Sequence, residues 1–353
     1  MHSFVYESLP SRVIFGSGTR ARLAEEIDRL GLRRVLVLST PPQRADAEQL
    51  AASLGTRAAA VFAEAAMHTP VDVTERAMTQ VTALKVDGTV AVGGGSTTGL
   101  GKAIALRSDL PQLVMPTTYA GSEMTPILGE TQDGRKTTQR SAKVLPEVVI
   151  YDVDLTLTLP PALSSTSGMN ATAHAVEALY SPDRNPIVSL MADDGIASLG
   201  RALPKIIEDP ADRSARSDAL YGAWLCGCCL GAVGMALHHK LCHTLGGTFD
   251  LPHAETHTVV LPHAMAYNAV AAPEAMSRIA RALGTQDAAT GIYDLAGRLG
   301  AKRALRDLGM PEHGIELAAD LASQSPYPNP RPIARTAIRD LIARAWAGMP
   351  PQG

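Results

Sequence analysis

Gly88-Thr-Val-Ala-Val-Gly93-Gly94-Gly95-Ser96-Thr97-Thr98-Gly99 decides the fold class. Residues 88–92 are a short apolar run of the kind found in strands buried on both faces. Three glycines follow at once, and helical spacing begins over 98–106. A strand, a glycine turn and a helix in that order aim backbone N–H groups from a helix N-terminus. With no Cβ in the way, such groups cradle a pyrophosphate. Three consecutive glycines exceed what a plain turn needs, so the stretch reads as phosphate-binding. It is not a Walker A loop: upstream of Gly101-Lys102 the glycine position holds Ser96, and Ala103 follows where Ser or Thr is required.

Working outward, 34–39, 58–62 and 112–115 are further strand candidates, and 43–54 and 71–84 have helical spacing. This β-α-β-α-β-α-β order implies a parallel sheet with helices on both faces. The segment 134–151 holds two extended runs and is expected as a hairpin returning to that sheet. From Pro160 the strand signals stop. Helical spacing then recurs at 164–180, 187–207, 213–237, 275–283, 292–299 and 333–346, the pattern of a helical bundle. The fold class is therefore an α/β N-terminal dinucleotide-binding domain with a parallel sheet, residues 1–151, followed by an all-α helical-bundle domain, residues 152–353. An earlier motif, Gly16-Ser-Gly18-Thr-Arg-Ala21, matches G-x-G-x-x-A. The next strand, however, ends Ser39-Thr40-Pro41 without the acid the dinucleotide fingerprint expects, so this motif reads as a tight turn. After 112–115, the hydroxyls and glycine of 116–123 fall where a sheet's carboxyl edge meets a ligand.

Composition excludes several classes. The 353 residues suit two domains. A net charge of −3 is wrong for a nucleic-acid binder held by counterion release, and 4% aromatics leave little for base stacking. The N-terminus has no basic run leading into an apolar one, and the longest apolar stretch, 224–237, falls short of the ~20 residues that span a bilayer. A cytoplasmic protein without membrane or nucleic-acid partners is expected. Cys226, Cys228, Cys229 and Cys242 lack C-x-x-C spacing and read as small helix residues, with Cys242 between His239 and His243 a candidate to line a cleft.

The histidines carry the most specific pattern. His174 lies four residues after Asn170 on one predicted helix, so the two share a face. His239 and His243 repeat that spacing, and His253 follows past Gly246-Gly247. Imidazoles converging from a bundle look like a divalent-metal site, although an asparagine is a weak ligand. His238, His257 and His263 are expected in supporting or structural places, and His2, His68 and His313 at the surface.

With these motifs in order, the chain resembles the iron-containing alcohol dehydrogenase superfamily, and within it the maleylacetate reductases. The likeness runs through Phe15-Gly16-Ser17-Gly18, 93–96, 116–123 and Lys136. It continues through Gly168-Met-Asn170-Ala-Thr-Ala-His174-Ala-Val-Glu177 and 239–247, then Leu251-Pro-His253, Leu261-Pro-His263 and Asn329-Pro-Arg331. The resemblance implies an active site in the cleft between the two domains. It also implies cofactor contacts at Thr40, Gly93, Gly94, Gly95, Ser96, Thr117, Thr118, Ser122, Thr125 and Lys136. Metal-dependent members carry aspartates where this chain has Asn170 and Gly99, and their other ligands map to His174, His239 and His253. Maleylacetate reductases are similar to this chain at both places and are thought to work without a metal. Losing the one anionic ligand weakens a dication site, so no metal is expected; if one binds, His174, His239 and His253 would hold it.

The implied reaction is NADH- or NADPH-dependent reduction of the C=C bond of maleylacetate to 3-oxoadipate in aromatic-compound catabolism, by a homodimer. A metal-dependent alcohol or polyol dehydrogenase and a dehydroquinate-synthase-like lyase are the alternatives. His239 and His243, with Lys240, would meet the enolate oxygen in place of a metal, with His243 the residue whose loss is expected to lower kcat strongly. His174, His253 and Asn170 would orient the dicarboxylate substrate, and Tyr327 and Arg331 are candidates for its carboxylates. Arg135, Lys136, Arg140 and Lys143 form a basic cluster that reads equally as a solvated hairpin face. The residue facing the adenosine ribose maps to Thr40. It has no charge to repel a 2′-phosphate, so use of both NADH and NADPH is expected.

Overall fold

Short, mostly apolar runs build a six-stranded parallel sheet. Its strands are β1 (Arg12–Gly16), β2 (Val35–Leu38), β3 (Ala58–Phe62), β4 (Gly88–Gly93), β5 (Gln112–Pro116) and, after a separate antiparallel hairpin of β6 (Ile127–Gln132) and β7 (Arg135–Arg140), β8 (Val148–Asp152). Their spatial order is β1-β8-β5-β4-β2-β3, with every pairing parallel. The computed structural model describes residues 4, 6–9, 11–324 and 327–352, with the side chain of Lys136 excepted; His2 lies outside the described residues.

One face of the sheet presents Val35, Val37, Val90, Val92, Leu113 and Met115 to α1 (Leu23–Arg29) and α2 (Arg44–Leu54). The other presents Leu36, Leu38, Ala91 and Val114 to α3 (Val71–Ala83) and α4 (Gly95–Ser108). Burial of both faces is why these strands read as unbroken apolar runs. The Gly16–Gly18 turn closes on Asp152, whose carboxylate accepts from Gly18 N–H at 2.9 Å and Arg20 N–H at 2.8 Å. It is the tight turn read from the sequence.

The hairpin expected over 134–151 is a correction. The hairpin is β6–β7, in its own two-stranded sheet, and β8 enters the main sheet between β1 and β5. The physical reason is polarity. Thr137, Thr138, Gln139 and Arg140 are exposed, and such a strand cannot enter a sheet buried on both faces, whereas β8 is buried throughout.

Contacts divide the chain into an α/β unit, Ser8–Leu159, and a helical unit, Pro160–Gly353, to which Phe4, Tyr6 and Glu7 also belong. The 151/152 position falls at the end of β8, one 3-10 turn before that division. The helical unit contains α5 (Pro161–Tyr180), α6 (Pro186–Glu208), α7 (Arg213–Ala232), α8 (Leu237–Phe249) and α9 (His253–Asn268). After these come α10 (Pro273–Leu283), α11 (Ala288–Arg298), α12 (Gly314–Ser323) and α13 (Arg335–Ala347). Helix α5 is buried along nearly its whole length and packs against α6, α7 and α9. Leu237, Leu241 and Leu245 of α8 share a core with Val259 and Val260 of α9 and with α12 and α13.

The single helix expected over 213–237 is a second correction. The chain breaks after Ala232 and resumes at Leu237, and α7 and α8 are bent by 94°. Asp183 holds the break by accepting from Gly234 N–H at 3.1 Å, and Ser181 donates to the Gly234 carbonyl at 2.9 Å. No single helix among the described residues is long and apolar enough to cross a membrane.

Candidate functional site

In the α/β unit the chain runs from β2 outward to β3, then back past β2 to β4, so the winding direction reverses between β2 and β4. Open α/β sheets take ligands at the carboxyl ends flanking such a reversal. Thr40 and a 3-10 turn, Pro41–Gln43, follow β2; Gly93, Gly94 and Gly95 join β4 to α4. Gly93 has φ 155°, and a Cβ on it would stand 2.4 Å from Thr97 Oγ1 and 2.9 Å from Gln43 Oε1. A Cβ on Gly94 would stand 2.9 Å from Thr118. The bare backbone therefore faces a crevice that side chains already crowd. Gly94 is the N-cap of α4, and no described side chain caps it. Thr97 Oγ1 and Ser122 Oγ are buried without a hydrogen-bond partner. Bare glycine backbone, an uncapped helix start and unpaired hydroxyls fit a dinucleotide pyrophosphate. Gly93→Ala is expected to weaken NADH binding at least about tenfold in a fluorescence titration, because the methyl needs both a strained φ and the space of Thr97.

Of the other cofactor candidates, Ser96 and Thr118 are half-buried at this edge, and buried Thr117 accepts from Gln43 Nε2 at 3.2 Å. Thr125 sits behind the loop. It is buried, its hydroxyl donates to the Ser122 carbonyl at 2.9 Å and accepts from Lys102 Nζ at 2.9 Å, so it supports the loop from beneath. Lys102 was legible only as a failed Walker lysine. Its ammonium is buried and donates to the carbonyls of Ser122 (2.6 Å), Thr125 (2.7 Å) and Ile127 (2.9 Å), tying the loop after β5 to α4. Burial pulls it down to about 7, and nearby Glu123 opposes the shift. Gly99 packs closely on Thr69: a Cβ there would stand 2.3 Å from Thr69 Oγ1, so that hydroxyl would have to turn away, in a turn where His68 and Thr69 both have left-handed backbone (φ 65° and 48°). His68 is half-buried, in place of the expected exposure, while His313 is exposed.

In the helical unit, α5, α8 and α9 bring six histidines together. His174 stacks on His239 with ring centroids 5.2 Å apart. The His239 ring lies 5.1 Å from His238, 5.0 Å from His257 and 6.2 Å from His243. The His253 ring lies 4.3 Å from His257. The organising group is Glu177, one turn after His174 and fully buried. Its carboxylate accepts from His239 Nδ1 at 2.7 Å and from the N–H groups of Ala236 and His238, each at 2.8 Å. An acid at a helix N-terminus is favourable, and here it also fixes which nitrogen of His239 carries hydrogen. Nε2 is left as the working atom. Asn170 Oδ1, His174 Nδ1, His239 Nε2 and His257 Nε2 are all buried without a hydrogen-bond partner. Unpaired buried polar atoms cost about 1–3 kcal/mol each, so four in one cluster mark the place of a polar ligand. Burial and neighbouring imidazoles push His174, His238 and His257 well below the ordinary histidine range, so these rings are neutral.

The donor set does not fit the metal implied by the family. Among the described residues, the one trio of His, Cys, Asp or Glu with ligand atoms all within 4.8 Å is His238, Cys242 and His257. His174, His239 and His253 are not so gathered, and Asn170 offers a neutral amide where a carboxylate would ligate. The trio itself is a hydrogen-bonded cluster. His238 Nε2 and His257 Nδ1 are 2.9 Å apart and share a proton, closer than the roughly 3.3 Å that tetrahedral ligation at ordinary Zn–N lengths would give. Cys242 lies 3.7 Å from His238 Nε2, buried, and burial pushes its thiol well above the usual range, which keeps it in the unreactive thiol form. Cys226 and Cys229 are buried as expected, while Cys228 is half-exposed.

His243 is exposed and His253 half-buried. Lys240 Nζ lies 5.8 Å from the centre of the Tyr327 ring, whose hydroxyl is buried and unpaired. Arg331 is a structural clasp: it stacks on Tyr267 at 4.4 Å and donates to the Tyr267 carbonyl at 3.0 Å. Asn329, two residues earlier, accepts from Leu237 N–H at 3.3 Å and exchanges amide hydrogen bonds with Asn268. The Asn-Pro-Arg motif thus braces the start of α8. Sequence reasoning missed Glu177 and Gln43 as site residues. The i,i+3 spacing of His174 and Glu177 was a signal, because it puts an acid beside an imidazole on one helix face. Gln43 had none.

Family models described as "Iron-containing alcohol dehydrogenase" and "Fe-containing alcohol dehydrogenase family, C-terminal" match residues 10–153 and 164–346. A maleylacetate reductase from Burkholderia cepacia is 58% identical over 351 residues, covering 99% of this chain and 100% of that protein. One from Sphingobium indicum is 60% identical over 348 residues, covering 99% of each. The crystal structure of maleylacetate reductase from Agrobacterium tumefaciens superposes with a TM-score of 0.97 at 58% identity, over 99% of this chain and 100% of that one. The chain belongs to the iron-containing alcohol dehydrogenase family and, within it, to the group of the maleylacetate reductases.

Proposed function

We propose that this chain reduces the C=C bond of maleylacetate to 3-oxoadipate with NADH or NADPH. The α/β unit binds the dinucleotide and the histidine cluster of the helical unit binds the substrate. The observation that carries this reading is the Glu177–His239 pair, an acid–base group set among neutral imidazoles. The names of the full-length relatives support it.

Bound NAD(P)H supplies a hydride to the alkene carbon β to the ketone. Negative charge then builds on the ketone oxygen, and the chain must meet it, because stabilising that charge is typically the largest catalytic term. His239, protonated at both ring nitrogens when it meets the substrate, donates from Nε2, while Glu177 at Nδ1 compensates the ring's charge and fixes its orientation. The proton that quenches the enolate at the carbon next to the ketone comes from His239 or its exposed neighbour His243. His174, His257 and Asn170 orient the substrate through their unpaired atoms without adding charge. Lys240, next in sequence to His239, contributes positive charge toward the substrate's carboxylates.

The test is maleylacetate-dependent NADH oxidation by purified protein with and without EDTA. Equal rates are expected. A rate abolished by EDTA and restored by ferrous or zinc ion would assign the chain to metal-dependent dehydrogenases, and turnover without net NADH consumption would assign it to the lyases.

A further inference from the structure

Gln43 occupies a place that no motif marks. It ends the 3-10 turn Pro41–Gln43, at the point where the winding of the sheet reverses between β2 and β4. Two prolines precede it and set the backbone, and its own N–H donates to the Thr40 carbonyl at 3.0 Å, so its side chain leaves the turn from a fixed origin. From there the amide reaches over the glycine cradle. Its Oε1 accepts from Thr40 Oγ1 at 3.1 Å and lies 2.9 Å from the position of a Cβ on Gly93. Its Nε2 donates to Thr117 Oγ1 at 3.2 Å. One half-buried side chain thus joins the end of β2, the first glycine of the cradle and the end of β5. Thr40, the residue expected to face the adenosine ribose, has its hydroxyl directed to Gln43.

We propose that the Gln43 amide contacts the dinucleotide where it crosses this reversal point, and that Gln43, more than Thr40, sets the tolerance for NADH and NADPH. The inference rests on the dinucleotide reading of the α/β unit. An amide offers a donor and an acceptor with no charge. It can pair with ribose hydroxyls, and it does not repel a 2′-phosphate as a carboxylate does. Its position over Gly93 gives that glycine a second reason to lack a side chain: the amide and the nucleotide both need the space.

The experiment is a fluorescence titration of the purified protein with NADH and with NADPH, in the absence of substrate, for wild type, Gln43→Glu and Gln43→Ala. Wild type is expected to bind both with dissociation constants within about tenfold of each other. Gln43→Glu is expected to weaken NADPH at least tenfold more than NADH, while Gln43→Ala weakens both by similar factors. A Gln43→Glu variant whose NADPH-to-NADH ratio stays within twofold of wild type overturns the role of Gln43 and leaves the dinucleotide reading standing. Wild-type protein that binds neither nucleotide overturns both.

Discussion

His239→Ala is expected to lower kcat for maleylacetate reduction by about a thousandfold, and Glu177→Gln by about a hundredfold, with the dissociation constant for NADH unchanged in each. The sequence alone pointed first to His243. The carboxylate 2.7 Å from His239 Nδ1 moves the larger expectation to His239. A ring held by a buried acid keeps one nitrogen as donor to that acid and turns the other toward the reacting atoms, and removing the acid releases both tautomer and orientation. Glutamine keeps the volume of Glu177 but has one acceptor oxygen for the two N–H groups of Ala236 and His238, which bind different carboxylate oxygens, so the melting temperature of this variant is measured beside its kinetics to separate a loosened α8 from lost chemistry. Steady-state kinetics beside a nucleotide titration separates chemistry from binding. Variants at both positions with kcat within threefold of wild type would remove His239 from the mechanism.

Lys102→Met is expected to destabilise the α/β unit by about 3 kcal/mol, read as a drop of several degrees in melting temperature, and to weaken NADH binding. Methionine fills much of the space but leaves the carbonyls of Thr125 and Ile127 without the Lys102 donor in a dry interior, while the Ser122 carbonyl keeps only the Thr125 groups. The loop after β5, which carries Thr117, Thr118 and Ser122, then loses its tie to α4. The effect has a pH signature. In the folded chain Lys102 is pulled down to about 7 from an ordinary 10.5, so between those values the unfolded chain binds more protons. Stability contributed through this group therefore rises with pH across that window, and the melting-temperature gap between wild type and variant should widen from pH 7 toward about pH 9. A gap that is flat or shrinks with rising pH would show that the ammonium is not desolvated as the structure places it.

Much of the fold was legible because local periodicity and tertiary burial agree. The runs at 58–62 and 88–92 are strands since both sides of each meet aliphatic helices, and that makes them mostly apolar, with Thr89 the polar exception. Legibility failed where the two disagree. Helix α9 is buried on nearly every face, so it has no polar stripe to give a period, and it went unread. The run 213–237 is apolar past its true end, and only the anchoring of Gly234 by Asp183 and Ser181 stops the helix. The hairpin was misplaced because extended runs do not reveal which sheet they join.

The sequence by itself determined the two-part architecture, the glycine cradle after β4 and the histidines at 174, 239, 243 and 253. Each of these is written in the spacing of neighbours along one element, where chain geometry leaves little choice. Only the tertiary structure decided how those groups work. It set Glu177 against His239 from residues 62 apart, joined His238 and His257 in a hydrogen-bonded histidine cluster, placed Lys102 under the loop after β5 and stretched Gln43 over Gly93. These are pairings between distant segments, fixed by how helices and strands pack, and no local pattern encodes the partner of a buried charge.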